Sequence, residues 1–324
     1  MIKILYAGSP EPACESLKIL FEKQKECGFQ IVGVLSNPPS AKGRHKDLIP
    51  TPVAAFAAEK GLPVFTPEHL DSDCRAQIQP LGANLLVSFA YGHIFGPKFL
   101  AMFDRGGMNL HPSLLPKYRG CTPVPAAILN RDSETAVTVQ TLALGMDEGD
   151  ILAQEIVELN GSETSQSLLD YSAKKGADLI CSLLEKVSAL PEGEKLSGHP
   201  QSGDASYTGI IKKEDGKIDW SEDGLKIEAK IRAYFPEPGC WCMEKGLTLR
   251  ILSASFIADE DERALVYKSE AFGKVLAFVK AEGIYIKVKG GILCARILQR
   301  QGKKEMGYKD FMNGARDFIG TQLE

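Results

Sequence analysis

The first 35 residues limit the folds open to this chain more than any other stretch. Residues 2–7 (IKILYA) form a short apolar run that ends at Gly8-Ser9-Pro10. A helical pattern follows, with Ala13, Leu17, Leu20 and Phe21 on one face, and then a second apolar run at 29–35. Strand, turn, helix and strand in that order open a doubly wound, mostly parallel α/β sheet. The turn lacks GxGxxG, so the order arrives without support for a dinucleotide site. Further along, 51–60 and 70–79 have helical patterns and 83–89 (ANLLVSF) is a nearly continuous apolar strand. Residues 164–187 read as a long amphipathic helix that covers one face of the sheet.

The texture changes past residue 190. Residues 191–206 are rich in Gly, Pro and Ser with little apolar periodicity, and from 209 onward short strand patterns alternate with Gly turns. With 324 residues, two domains are expected: 1–190, a linker at 191–208, and 209–324 as a small OB-like β-barrel. Helices are expected at 227–234 and 311–318. Hydrophobic content of 44% and charged content of 25% fit a globular protein with a substantial core. The absence of an apolar run near 18 residues, and of a signal-peptide layout at the start, points to a cytoplasmic protein with no membrane partner. The eight cysteines are scattered, without CxxC or a Cys/His cluster, so reduced thiols and no metal are expected.

Charge is unevenly distributed. The formal net charge is −4, but residues 1–208 carry 18 Lys/Arg against 24 Asp/Glu, and 209–324 carry 20 against 18. Residues 274–304 hold eight basic side chains and one acid, Glu282. Local charge decides polyanion binding, which makes this stretch either a phosphate-contacting face or a solubilising strand surface. Residues 37–52 (NPPSAKGRHKDLIPTP) form a long Pro/Gly-rich basic segment, read as an irregular loop.

The chemistry concentrates in residues 106–120, GGMNLHPSLLPKYRG. An amide (Asn109), an imidazole (His111) and a hydroxyl (Ser113) recur at spacing two, which in an extended segment puts them on one side. A rigid polar pocket suited to carbonyl chemistry is one reading; turn residues with a satisfied histidine are the other. Downstream, 145–152 (GMDEGDIL) is a Gly-flanked acidic loop, and Asp147 is the best partner for His111, since a carboxylate can orient an imidazole and hold its charge.

These two motifs together closely resemble the folate-dependent formyltransferases, and the similarity extends over nearly the whole chain. The resemblance implies a Rossmann-like formyltransferase domain followed by an OB-like domain, with 10-formyltetrahydrofolate as formyl donor. It also implies an acceptor on initiator methionyl-tRNA; separately, the chain is expected to be a monomer. Asn109, His111 and Asp147 are then catalytic, and Tyr91, Gly92, Ser113, Leu114, Leu115 and Pro116 lie along the folate side. Lys42, Arg44 and Lys46 in the basic loop, with Lys303 and Lys304, would contact tRNA. The family's acidic-basic pair just before that loop's basic residues stands here as Pro39-Ser40, so Lys42 or Arg44 would substitute. A different formyl acceptor, a non-catalytic folate- or tRNA-binding module, and a formyl-folate hydrolase are the competing readings. Formyl-folate offered with and without charged initiator tRNA separates them.

Overall fold

The computed structural model describes residues 1–42, 47–315 and 317–324. Gly43, Arg44, His45 and Lys46 of the basic loop lie outside the described residues, and Lys42 is described only as the end of strand Ser40–Lys42. That strand forms a hairpin with Asp47–Ile49, a small regular element within a segment read as irregular.

The chain divides into two compact units. The first is Met1–Pro123, Glu134–Glu158 and Leu168–Gly209; the second is Val124–Ser133, Leu159–Ser167 and Ile210–Glu324. The stretch 191–208, read from sequence as a linker, groups with the first unit.

The first unit is built on a seven-stranded sheet. Its strands are β1 (Ile2–Gly8), β2 (Phe29–Leu35), β3 (Val64–Phe65), β4 (Leu85–Phe89), β5 (Gly107–His111), β6 (Glu134–Thr141) and β7 (Ile151–Glu158). Their spatial order is β7-β6-β5-β4-β1-β2-β3, parallel from β5 to β3, with β6 antiparallel to both β5 and β7. After β1 the chain goes outward to β2 and β3, then returns to place β4 on the other side of β1. Such a reversal opens a crevice at the strands' carboxyl ends.

Alternation along each strand divides the side chains between two faces. On one face Ile4, Tyr6, Leu85, Val87, Met108, Leu110, Val137 and Val139 form a buried core under helices α1 (Glu11–Lys23), α2 (Pro52–Glu59) and α3 (Ser165–Ala189). Helix α3 contributes Ala173, Ala177, Ile180, Leu184 and Val187, a 3.6-residue stripe. It lies so close to the sheet that a Cβ on Gly176 would sit 2.2 Å from a methyl of Leu110. On the other face Leu5, Ala7, Leu35 and Leu86 pack against a row of rings, Tyr91, Phe95, Phe99 and Phe103. Fully burying one such side chain contributes about 1.5–3 kcal/mol. Along β5 and β6 this second face is polar instead, and the candidate site lies there.

The second unit has an antiparallel sheet. Strands β8 (Cys240–Glu244), β9 (Leu247–Ala258), β10 (Val275–Val279), β11 (Gly283–Val288), β12 (Gly291–Arg300) and β13 (Met306–Gly307) pair in the order β8-β9-β12-β11-β10, with β13 on β12. Register shifts between Ile251 and Ala254 interrupt the β9–β12 ladder, and bulges of this kind bend and twist a long strand. Residues 320–324 join the two edge strands. Val275 on β10 exchanges backbone hydrogen bonds with Gly320 and Thr321, and Met243 on β8 exchanges them with Glu324. Helices α4 (Gly224–Ala233) and α5 (Tyr308–Asn313) complete this unit, and Asp223 caps α4 by accepting from the Leu225 amide. The second of these runs earlier than the expected 311–318; the chain leaves it at Gly314.

Candidate active site

Register brings the polar groups together. Asn109 on β5 lies opposite Gln140 on β6, His111 lies opposite Thr138, and Thr138 lies opposite Gln154 on β7. Directly opposed residues share a face, so five polar side chains from three strands project from one side. Gln154 donates to the Thr138 hydroxyl at 2.8 Å, and that hydroxyl donates to the Ser113 carbonyl at 2.7 Å.

Asp147 reaches over this face from the loop between β6 and β7. Its Oδ1 accepts from Gln140 Nε2 at 2.8 Å and Asn109 Nδ2 at 3.2 Å, and its Oδ2 accepts from the Gly120 amide at 2.8 Å. The imidazole Nδ1 of His111 lies 3.6 Å from Oδ2. Three donors therefore fix the carboxylate plane, and the imidazole stands beside it. The other ring nitrogen, Nε2, is 2.9 Å from the Tyr118 carbonyl oxygen. Both groups are well enclosed, with side-chain exposures of 6% for His111 and 15% for Asp147. Asp147 has φ +52°, a left-handed backbone uncommon outside glycine. The loop is also tight at Gly149, where a Cβ would lie 1.7 Å from the Thr141 carbonyl oxygen.

The remaining expected residues fall in different surroundings. Ser113 lies past the end of β5, so strand alternation no longer orients it. Its hydroxyl donates to the Lys117 carbonyl at 2.6 Å and closes a turn, in place of the expected pocket-facing position beside Asn109 and His111. Leu115 and Pro116 are buried and Leu114 half-buried. The Tyr91 ring stacks on Phe95 with centroids 5.5 Å apart, and its hydroxyl has no partner among the described residues. Burial pushes that phenol well above its ordinary pKa. What Tyr91 and Gly92 can offer a ligand is therefore backbone, and Gly92 has φ +86°. Ile94, Leu144 and Met146 are exposed at 66%, 63% and 49%, apolar side chains on the loops that carry Gly92 and Asp147. Lys303 and Lys304 are exposed in the turn between β12 and β13. Three other basic residues of the 274–304 stretch are paired, Lys274 with Glu270, Lys287 with Asp259 and Arg300 with Glu244. Among the described residues no group of three or more His, Cys, Asp or Glu is placed to hold a metal ion.

Sequence reasoning missed Gln140, the Tyr118 carbonyl, the Gly120 amide and Gln201. A glutamine at spacing two from Thr138, inside an otherwise apolar strand, was the available signal for Gln140. The backbone groups carry no residue-type signal. Gln201 comes from 54 residues beyond Asp147 and donates to the carbonyls of Asp147 and Gly149, both at 2.8 Å.

An amide and an imidazole arranged about one carboxylate, beside an α/β sheet's crevice, are groups chemically able to move a proton and hold an oxyanion. The chain belongs to the formyl transferase family: residues 2–184 match the family described as "Formyl transferase", and residues 210–316 match "Formyl transferase, C-terminal domain". It is 41% identical over 332 residues, covering 100% of both chains, to a protein of Treponema denticola named methionyl-tRNA formyltransferase. Its fold is similar to that of a methionyl-tRNA formyltransferase from Clostridium thermocellum, with TM-score 0.55, 17% identity, and coverage of 79% of this chain and 93% of that one. It is also similar to HypX from Aquifex aeolicus in complex with tetrahydrofolic acid, with TM-score 0.62 and 13% identity. That match covers 98% of this chain and 48% of HypX, so the chain spans about half of HypX's length. Among the described residues no helix is long and apolar enough to cross a membrane.

Proposed function

We propose that this chain transfers the formyl group of 10-formyltetrahydrofolate to the α-amino group of initiator methionyl-tRNA, giving N-formylmethionyl-tRNA. The observation that carries the reading is the convergence of Asn109 and His111 on Asp147, in a chain matched over its full length by a relative of that name.

The amine nitrogen attacks the formyl carbon, and the carbonyl π electrons move to oxygen. Asn109 uses one amide hydrogen on Asp147 and keeps the second for that developing oxyanion. A preorganised donor of this kind is worth about 3 kcal/mol. His111 takes the proton released by the attacking nitrogen at Nδ1, the nitrogen beside Asp147, and returns it to the folate nitrogen as the carbon–nitrogen bond breaks. Asp147 orients the ring and offsets the imidazolium charge. In this reading the exposed Ile94, Leu144 and Met146 meet the folate ring system, and Tyr91, Gly92, Ser113, Leu114, Leu115 and Pro116 shape that side. Lys303 and Lys304, with Lys42, Arg44 and Lys46 of the basic loop, contact the tRNA backbone. The protein works in the cytoplasm as a monomer.

The test is to incubate purified protein with 10-formyltetrahydrofolate and charged initiator tRNA, deacylate, and quantify formylmethionine. Release of formate without transfer, or formylation of an amino sugar or a purine intermediate and not of the tRNA, overturns the reading.

A further inference from the structure

Residues 199–208 form a strap across the candidate site, and this strap reaches both members of the His111–Asp147 pair. At one end Ser206 accepts from the Tyr118 amide through Oγ at 2.9 Å and from the Arg119 amide through its carbonyl at 2.8 Å. Tyr207–Thr208 pairs in parallel with Arg119–Gly120. The run held in this way contains the Tyr118 carbonyl that meets His111 Nε2 and the Gly120 amide that meets Asp147 Oδ2. At the other end, Gln201 addresses the Asp147 loop directly.

We propose that Gln201 is a positioning residue for formyl transfer, its side-chain amide holding the Asp147 loop in the conformation that presents the carboxylate to His111. The inference rests on the function proposed above. The orientation of the amide is settled by its surroundings. The Nε2 group has two hydrogens and faces two carbonyl oxygens, those of Asp147 and Gly149, each at 2.8 Å. Gln140 Oε1 lies further off, at 3.2 Å. The Gln201 Oε1 atom accepts from Arg119 through Nε at 3.1 Å and Nη2 at 2.9 Å. A flipped amide would set oxygen against two carbonyls and hydrogens against a guanidinium. Left-handed backbone at a non-glycine residue such as Asp147 persists only where neighbours over-determine it. The Asp147 carboxylate is fixed by its own three donors, and its carbonyl is fixed by Gln201. Gln140 donates to Asp147 Oδ1 and lies beside Gln201, so one connected set of side chains fixes both ends of the residue.

Gln201→Glu is the discriminating variant. It keeps the length and an acceptor for Arg119, and it replaces the two donors with an oxygen facing two carbonyls. Gln201→Met removes the donors without adding charge, so the pair separates loss of the amide hydrogens from the effect of a new carboxylate. Asp204→Ala, an exposed position in the same strap, is the control. With wild-type transfer established, both Gln201 variants should melt within a few degrees of wild type and lower kcat by about 10–100-fold, the scale of a small misplacement of a catalytic group. KM for methionyl-tRNA should stay within about twofold, and the pH dependence of kcat and the NMR titration of the His111 ring should both change. Asp204→Ala should match wild type. If both Gln201 variants keep kcat and the His111 titration of wild type, or if their loss lies in KM alone, Gln201 is not a positioning residue. A wild-type chain that forms no formylmethionine instead overturns the functional reading, and this inference falls with it.

Discussion

His111 donates from Nε2 to the Tyr118 carbonyl at 2.9 Å, and that hydrogen bond leaves Nδ1 as the ring nitrogen beside Asp147. A carbonyl oxygen only accepts, so Nε2 carries a hydrogen in both the neutral and the charged ring. Nδ1 lies 3.6 Å from Asp147 Oδ2, and it is the nitrogen to which the proposed mechanism assigns the proton transfer.

In the proposed mechanism His111 carries the proton and Asn109 holds the oxyanion, and His111→Ala and Asn109→Ala test these roles. Each should lower turnover by roughly 10²-fold or more, while the fold and tRNA affinity survive. Steady-state formylation at saturating substrates, with a thermal melt as control, checks this. Near-normal turnover in either variant removes that residue's role.

Asp147→Asn should cost more than its similar size suggests. The carboxylate accepts from Asn109 and Gln140 on one oxygen and from the Gly120 amide on the other. An amide NH2 in either position would face a donor. Turnover should fall by roughly 10²-fold or more, and the pH–rate profile should change shape. An unchanged profile would leave Asp147 as a turn residue.

Affinity for tRNA should fall with rising salt, and a double Lys303→Ala, Lys304→Ala variant should reduce the log–log salt slope by about 1 for each phosphate that its lysines neutralise. Filter binding over a salt series measures this. Arg44→Ala and Lys42→Ala, assayed side by side for kcat/KM on charged tRNA, should show a loss of about 1–3 kcal/mol in whichever side chain reaches the tRNA from the loop. Unchanged values in both would shift recognition to the C-terminal domain.

Thiol chemistry should distinguish the cysteines. Cys121 is exposed and the other seven are buried. Burial pushes the Cys14 thiol up to about 11, and those of Cys181, Cys240 and Cys242 up to about 12. The thiolate is the reactive form, so a raised pKa leaves these groups protonated and inert at pH 8. A disulfide-exchange reagent should modify one thiol rapidly in the native protein and all eight on denaturation. Rapid modification of two or more native thiols would contradict the burial described.

The sheet and the core of the site were legible because their signals are local. Spacing two put Asn109 and His111 on one face, and flanking glycines marked the loop that bears Asp147. The same spacing gave a misleading reading for Ser113, because β5 ends at His111 and the hydroxyl turns to Lys117. The basic run at 274–304 read as either a phosphate-contacting face or a solubilising strand surface, and acids at 244, 259 and 270 pair with three of its members, a pairing decided by tertiary structure. The strap was read as a linker for a physical reason. It is held by hydrogen bonds and not by apolar burial, so it has no periodicity to detect.

That mode of attachment has a consequence for local opening. The strap's bonds close chain separations from 48 residues, at His199 and Ile151, to 89, at Thr208 and Arg119. Neither apolar cluster of the first unit contains a residue from 199–208. The apolar clusters therefore need nothing from the strap, whose docking sets a handful of polar interactions against the loop-closure entropy of long separations. Opening of the strap alone would leave both apolar clusters closed while releasing the bonds that hold Tyr118, Arg119 and the Asp147 loop.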